Sequence, residues 1–295
     1  MRSFSHLSAL TANVSAEPPG IVPVTSELVA AAAAQHLSEG AQSLVQALLR
    51  PSLRLVPTRD EAAAVGWLGG PAMIPADVEW PRWQGRGLEV VAVLDLTSLP
   101  EAPGTPLPRT GWLTFFYDAA GQSAWGHDPA QRDAWRVVHA PDAEPRPAPD
   151  GTETLPAVML AAVEEPAAPH TFEEALAAFH ETEWDELYAF GESLRPIGEP
   201  AHRIGGWPDL VQDSMWLAVQ LASNGIYVGD PTGYQDPRVP DLAPGADDWR
   251  LLLQIDTDDD AAMMWGDAGR LYYFIREEDL IAGAFDRCWF KLQCG

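Results

Sequence analysis

The stretch LLLQIDTDDDAAMMWGDAGRLYYFI, residues 251 to 275, decides how the rest of the chain is read. A Leu- and Ile-rich run ends at Asp256, acidic residues crowd the next positions, and Gly269 opens a second run of bulky residues. Two strand-forming runs joined through Asp and Gly predict a hairpin, because those residues supply turn backbone that aromatic and β-branched residues avoid. The expectation for its loop is structural: Asp256 bonded to nearby backbone, with Asp258, Asp259 and Asp260 exposed to solvent.

Working outward, the first half carries the same signal. VVAVLDL (90–96) parallels LLLQIDT (251–257), aligning Asp95 with Asp256, and GWLTFF (111–116) parallels GRLYYF (269–274). Gly69-Gly70 with Trp80 recurs at equal spacing as Gly205-Gly206 with Trp216. Agreement in order at three places predicts a duplication, with an insertion of about 25 residues in the second half. That insertion falls on Gly225–Asp248, a Gly-, Pro- and Asp-rich stretch that reads as a surface excursion. The expected fold class is α+β: internally duplicated β-rich units, about residues 66–118 and 203–276, with flanking helices in a single compact body.

Residues 1–24 read as an irregular N-terminal segment on the strength of Pro18-Pro19-Gly20, which leaves 25–295 as one domain. Thr25 or Ser26 caps a helix to about Leu37, and Gly40 marks a break before a second segment, Ala41–Leu49. Thr171 and Glu174 fit a capping box for a helix with the apolar stripe Phe172, Leu176, Phe179, Leu187 and Phe190. Pro141–Pro156 reads as a loop.

An apolar fraction of 46% gives a chain of 295 residues enough material for a core. No run approaches the roughly 18 apolar residues that span a bilayer. The alanine block Ala30–Ala34 is too short and too far in for a signal peptide. Cys288 and Cys294 suit buried thiols in a reducing compartment better than a disulfide scaffold. A cytoplasmic location is therefore expected. The balance of 18 basic and 43 acidic residues gives a net charge of −25, and Lys291 is the sole lysine. Such a field repels phosphates, so neither nucleic acid nor an anionic membrane is expected as a partner, whereas a cationic protein or peptide is.

Several motifs are long and idiosyncratic: GGPAMIPADVEWP, GWLTFF, HRIGGWPDLVQDSMW, NGIYVGDPTGYQDPR, the 249–275 hairpin and the closing LQCG. On these the chain, from about Gly66 onward and most densely after His202, resembles the YwqG-like family, bacterial proteins of unknown function. The resemblance implies an α+β fold with related halves in cytosolic proteins, some tied to toxin–immunity gene neighbourhoods. It implies no agreed chemistry, and residues 1–50 and 119–170 depart most from the pattern.

Catalytic templates fit poorly. Counting from Asp256, residues Asp258, Asp260 and Asp267 take the spacing of an EF-hand calcium loop, but Ala261 replaces the required Gly, Asp267 replaces the bidentate Glu, and the flanks are strands. A looser divalent-cation site would use Asp256, Asp258 and Asp267. GQSAWG (121–126) lacks the spacing of a nucleophile elbow, and no two histidines sit three or four apart to share a helical face for zinc. Of the tryptophans, Trp80, Trp83 and Trp265 are the candidates for an aromatic binding platform, with Trp83 the most exposed. The favoured reading is a non-catalytic acidic binding protein, immunity-like in character, with no cofactor. The alternative is a metal-assisted hydrolase in which the three aspartates hold a cation that activates water.

Overall fold

In the computed structural model, which describes residues 23–101, 104–170, 173–176, 184–194 and 200–295, the hairpin is present as β12 (Trp249–Asp256) and β13 (Arg270–Arg276). Its counterpart in the first half is β6 (Glu89–Asp95) with β7 (Trp112–Tyr117). Both pairs are antiparallel, and each carries a bulge at the corresponding place, Val91 in one and Leu252 in the other. A bulge adds an unpaired residue and increases local twist, which helps a long sheet to curl.

Around these hairpins lie β1 (Arg50–Pro57), β2 (Gly66–Leu68), β8 (Trp135–Ala140), β10 (Val158–Ala167), β11 (His202–Gly205) and β14 (Trp289–Gln293). All ten strands form one antiparallel sheet in the order β14-β13-β12-β11-β1-β10-β2-β6-β7-β8. β1 and β10 lie in the middle, and from them the strands of each four-strand wing run outward in chain order, β11 to β14 on one side and β2, β6, β7, β8 on the other. β1 and β10 carry Pro51 and Pro166 opposite one another near the strand ends, where a missing N–H disturbs the ladder least. Two small ribbons flank the sheet: β3 (Ala72–Ile74) with β9 (Glu144–Arg146), and β4 (Arg82–Trp83) with β5 (Arg86–Gly87). The Pro141–Pro156 loop thus contributes one short strand.

The sheet curls until its wings face each other across an aromatic interior. Tyr117 stacks on Phe290 with ring centroids 4.4 Å apart, and the Tyr273 hydroxyl donates to the Phe116 carbonyl at 3.2 Å. The two edges nearly meet, bridged by Trp125–His127: the Trp289 indole donates to the Gly126 carbonyl at 3.0 Å. A Cβ on Gly126 would lie 1.8 Å from the Phe290 carbonyl oxygen, so only glycine admits this approach. On the outer side, β3 and β9 cover a second cluster built on Trp67, Val93, Trp112 and Phe116.

Helices α1 (Ser26–His36) and α2 (Glu39–Leu48) pack with α3 (Trp184–Leu194) through Val29, Ala33, Val45, Leu187 and Phe190. Thr25 caps α1 as expected, accepting from the Leu28 amide at 3.2 Å. The break between the first two helices falls at Leu37-Ser38, with Ser38 as the cap, and Gly40 lies inside the first turn of α2. This corrects the expected break at Gly40: a capping hydroxyl outweighs a single permissive glycine. Thr171, Phe172 and Phe179 of the proposed capping box and stripe lie outside the described residues, as do residues 1–22. Among the described residues the remaining α-helices are α4 (Trp216–Ser223), α5 (Val239–Leu242) and α6 (Glu277–Ala282). Among the described residues, no helix is long and apolar enough to cross a membrane.

Candidate functional site

The loop after β12 is tied inward. Asp256 accepts the Ala201 amide at 2.8 Å and the Thr257 amide at 3.0 Å, and lies 3.0 Å from Arg270 Nε. Arg270 also reaches the carbonyl and carboxylate of Asp209, both at 3.1 Å, and these two carboxylates keep it charged despite burial. Asp95 plays the equivalent local role in the first half, accepting from the Thr97 amide and the Ser98 hydroxyl. The structural part assigned to Asp256 is what the geometry shows.

The expectation for Asp258 is overturned. Asp259 and Asp260 are exposed, but Asp258 is buried, accepting from His202 Nε2 at 3.1 Å and from the Ala261 amide at 2.8 Å. His202 Nδ1 accepts the Asp256 amide at 3.0 Å, which leaves the proton on Nε2. Burial opposes a charge on Asp258, yet the hydrogen bonds from His202 and from the Ala261 and Asp260 amides outweigh it and hold the carboxyl below its ordinary range. A His–Asp pair of this kind resembles part of a hydrolytic triad. Here the second nitrogen is occupied by backbone and the ring is fully buried, so none is left to activate a nucleophile. Sequence inspection missed His202, whose partner lies 56 positions away. Asp267 is exposed and contributes only its carbonyl, to the Gly295 amide. Among the described residues no group of three or more His, Cys, Asp or Glu is placed to hold a metal ion.

The three tryptophans do not share one surface. Trp265 is enclosed, its indole donating to the Asp256 carbonyl at 3.1 Å and its ring facing Tyr117. Trp80 is 8% exposed, donating to the Leu88 carbonyl and meeting Phe116 edge-on at 5.3 Å. Trp83 is half-buried, as expected, and donates to Ser123 Oγ at 3.0 Å. Ser123 in turn donates to Asp118 at 2.6 Å, which also pairs with Arg86. Ser123 is thus a bracing loop residue.

Trp80 does line a groove of about 550 Å³ running along β8, with Glu79, Arg82, Arg136, His139 and Asp286 among its walls. The Asp118 amide donates to the Ala134 carbonyl, which sets the β7–β8 register so that the main-chain groups of Val137 and His139 point away from β7. The groove is an open sheet edge of mixed charge.

A different surface carries more acid. Gly225–Asp248 packs on α4, where Gln220 donates to the Leu242 carbonyl at 2.8 Å, and runs as short turns around α5. It holds Asp230, Asp236, Asp241, Asp247 and Asp248 against one cation, Arg238, which is paired to Asp236 at 2.9 Å. Tyr227 and Tyr234 stand 48% and 41% exposed within it. Arg250–Glu277 and Arg276–Asp248 pairs join the acidic α6 to the same face.

One cation sits where charge is disfavoured. Arg54, Arg203, Gln254, Tyr272 and Lys291 are successive register partners across five strands, a polar row on a largely buried sheet face. Its last member, Lys291, is 3% exposed, and burial pushes its amine down to about 7. Its neighbour His127 is pushed down to about 4 by burial and by the Lys291 charge. Cys288 and Cys294 are free and buried on either side of β14.

Residues 67–294 match a family model described as Domain of unknown function (DUF1963). No curated protein matches the chain.

Proposed function

We propose that this chain, which belongs to the DUF1963 family, is a non-catalytic binding protein whose partner is a cationic protein or peptide docking on the face built from Gly225–Asp248 and α6. The observation that carries the reading is the pair of exposed tyrosines, Tyr227 and Tyr234, in a segment with five aspartates whose one arginine is internally paired. Tyrosine is an effective interface anchor because its rigid ring buries area while its hydroxyl stays solvated or bonded. Surrounding carboxylates attract a basic partner and accelerate its encounter. The absence of an available base at the His202–Asp258 pair supports a binding role over hydrolysis.

Within DUF1963 the motifs quoted above favour a YwqG-like placement, with a cytoplasmic setting and an immunity-like role as its corollaries. Internal duplication belongs to the same proposal. It is supported by the outward chain order of the strands in both wings, the matching bulges at Val91 and Leu252, and the left-handed glycine pairs Gly69-Gly70 and Gly205-Gly206.

The test replaces both tyrosines with alanine and compares affinity capture by wild type and variant from cells that encode the chain. Retention of a basic protein by wild type and its loss with the variant is expected. Equal retention by both would remove this face from the account.

A further inference from the structure

The first residue of β1 and the second of β12 bring two arginines to one pocket. Arg50 lays its guanidinium over the face of Trp207, with Cζ 3.4 Å from the ring centroid, and lies 5.8 Å from Trp216. Stacking fixes the planar fork and leaves its N–H edges free to donate. Among the described residues no hydrogen bond from that fork is seen, and Glu173 is the carboxylate near enough to favour its charge. Arg250 enters from β12, held by the carbonyls of Asp247 at 2.7 Å and Trp249 at 2.8 Å and by Glu277 at 2.5 Å. The space between them is about 230 Å³, closed by Pro51, Gly104, Thr105, Gly206 and Leu251, and among the described residues no carboxylate lines it.

The wall depends on close backbone approach. Gly206 has φ +71°, and a Cβ there would lie 2.7 Å from the Ala167 Cβ and 2.8 Å from the Ser52 Cβ. At Gly205 a Cβ would lie 2.3 Å from Thr105 Oγ1, so the 105 loop rests directly on the glycine pair. Burial and the charge of Arg250 both push Arg50 below its ordinary range, opposed by Glu173. Arg250 is already offset by Glu277, so the unbonded, largely desolvated fork of Arg50 is the group that a bound anion would serve.

We propose that this pocket binds a small oxyanion, a carboxylate or a phosphate monoester, on the donor fork of Arg50 with Arg250 as the second cation. A guanidinium matches two oxygens of either group in a bidentate pair. The volume lies below the span of about 300–1,000 Å³ usual for drug-sized ligands, which favours a single anionic group over a nucleotide.

The experiment is calorimetric titration of the full chain with inorganic phosphate and, separately, with acetate, at constant ionic strength held by chloride. Saturable binding of at least one, with Kd of about 1 mM or tighter, is expected. Arg50→Gln should weaken it by about tenfold or more, as loss of a charge-assisted bidentate contact requires, while Arg109→Gln, on an exposed loop, leaves it unchanged. Preference for phosphate assigns the site to phosphate-type oxyanions, and preference for acetate to carboxylates. If Arg50→Gln does not fold, Arg250→Gln serves in its place with the same expected weakening. No saturable binding to wild type, or unchanged affinity in the folded variant, overturns the proposal.

Discussion

Replacing Lys291 with methionine should stabilise the fold at neutral pH, because it removes a buried charge while keeping the length of the side chain. The amine is 3% exposed and burial is the cause of its lowered pKa. A shift from 10.5 to about 7 corresponds to about 5 kcal/mol of penalty when the group is fully charged in both states. The folded-state value lies below the unfolded one, so between about pH 7 and 10.5 the unfolded chain holds a proton that the folded chain releases. Wild-type stability from this group therefore rises with pH across that window and is flat below it. Cys288, whose thiol burial pushes up, works in the opposite sense above its ordinary value, but it is common to both proteins and cancels in their difference. Urea unfolding of wild type and Lys291→Met at pH 7 and pH 9 measures that difference. The variant should be the more stable by several kcal/mol at pH 7, and the gap should shrink by about 2 kcal/mol at pH 9. A gap that does not change with pH, or a variant less stable than wild type at pH 7, would refute the reasoning.

Removing His202 as His202→Ala should cost about 2–4 kcal/mol in the same unfolding assay, since Asp258 and the Asp256 amide both lose buried partners. Gly206→Ala should destabilise by more than about 1 kcal/mol, because its left-handed backbone and its contacts with Ala167 and Ser52 leave no room for a Cβ. Calorimetric titration with calcium, magnesium and manganese should show no micromolar binding, with Asp267→Ala indistinguishable from wild type; micromolar affinity abolished by that substitution would support the hydrolase reading instead.

The parts of the fold that sequence inspection recovers are those defined by local signals. The β6–β7 and β12–β13 hairpins announce themselves through bulky runs closed by Asp and Gly, α1 through its Thr25 cap, and the 225–248 excursion through Pro, Gly and Asp. The centre of the sheet does not. β1 (RPSLRLVP) and β10 (VMLAAVEEPA) show neither clean alternation nor turn-bounded apolar runs, yet they form the longest pairing, across more than a hundred residues. Their polar positions are accommodated because Arg203, the register partner of Arg54, is brought beside Gln254 and within 3.7 Å of Glu165, a relation that exists only once distant strands pair. Asp258 was misplaced for the same reason: its solvent-facing run of aspartates is local, whereas the histidine that buries it comes from β11. Of the tryptophans, Trp83 was legible from its polar neighbours, while the enclosure of Trp265 depends on the curl of the whole sheet.

The central claim, that acidic side chains on the 225–248 face recruit a cationic protein, is tested most directly by affinity capture with wild type and with Asp241→Asn/Asp247→Asn/Asp248→Asn. All three aspartates are exposed, so the substitutions leave the core untouched. Capture is compared at about 50 mM and about 500 mM salt, a range over which the screening length contracts from about 14 Å to about 4 Å. The account predicts a basic protein retained by wild type at low salt, released at high salt, and absent from the variant at both. A retained set that is the same for both proteins, or one dominated by nucleic acid, would contradict it.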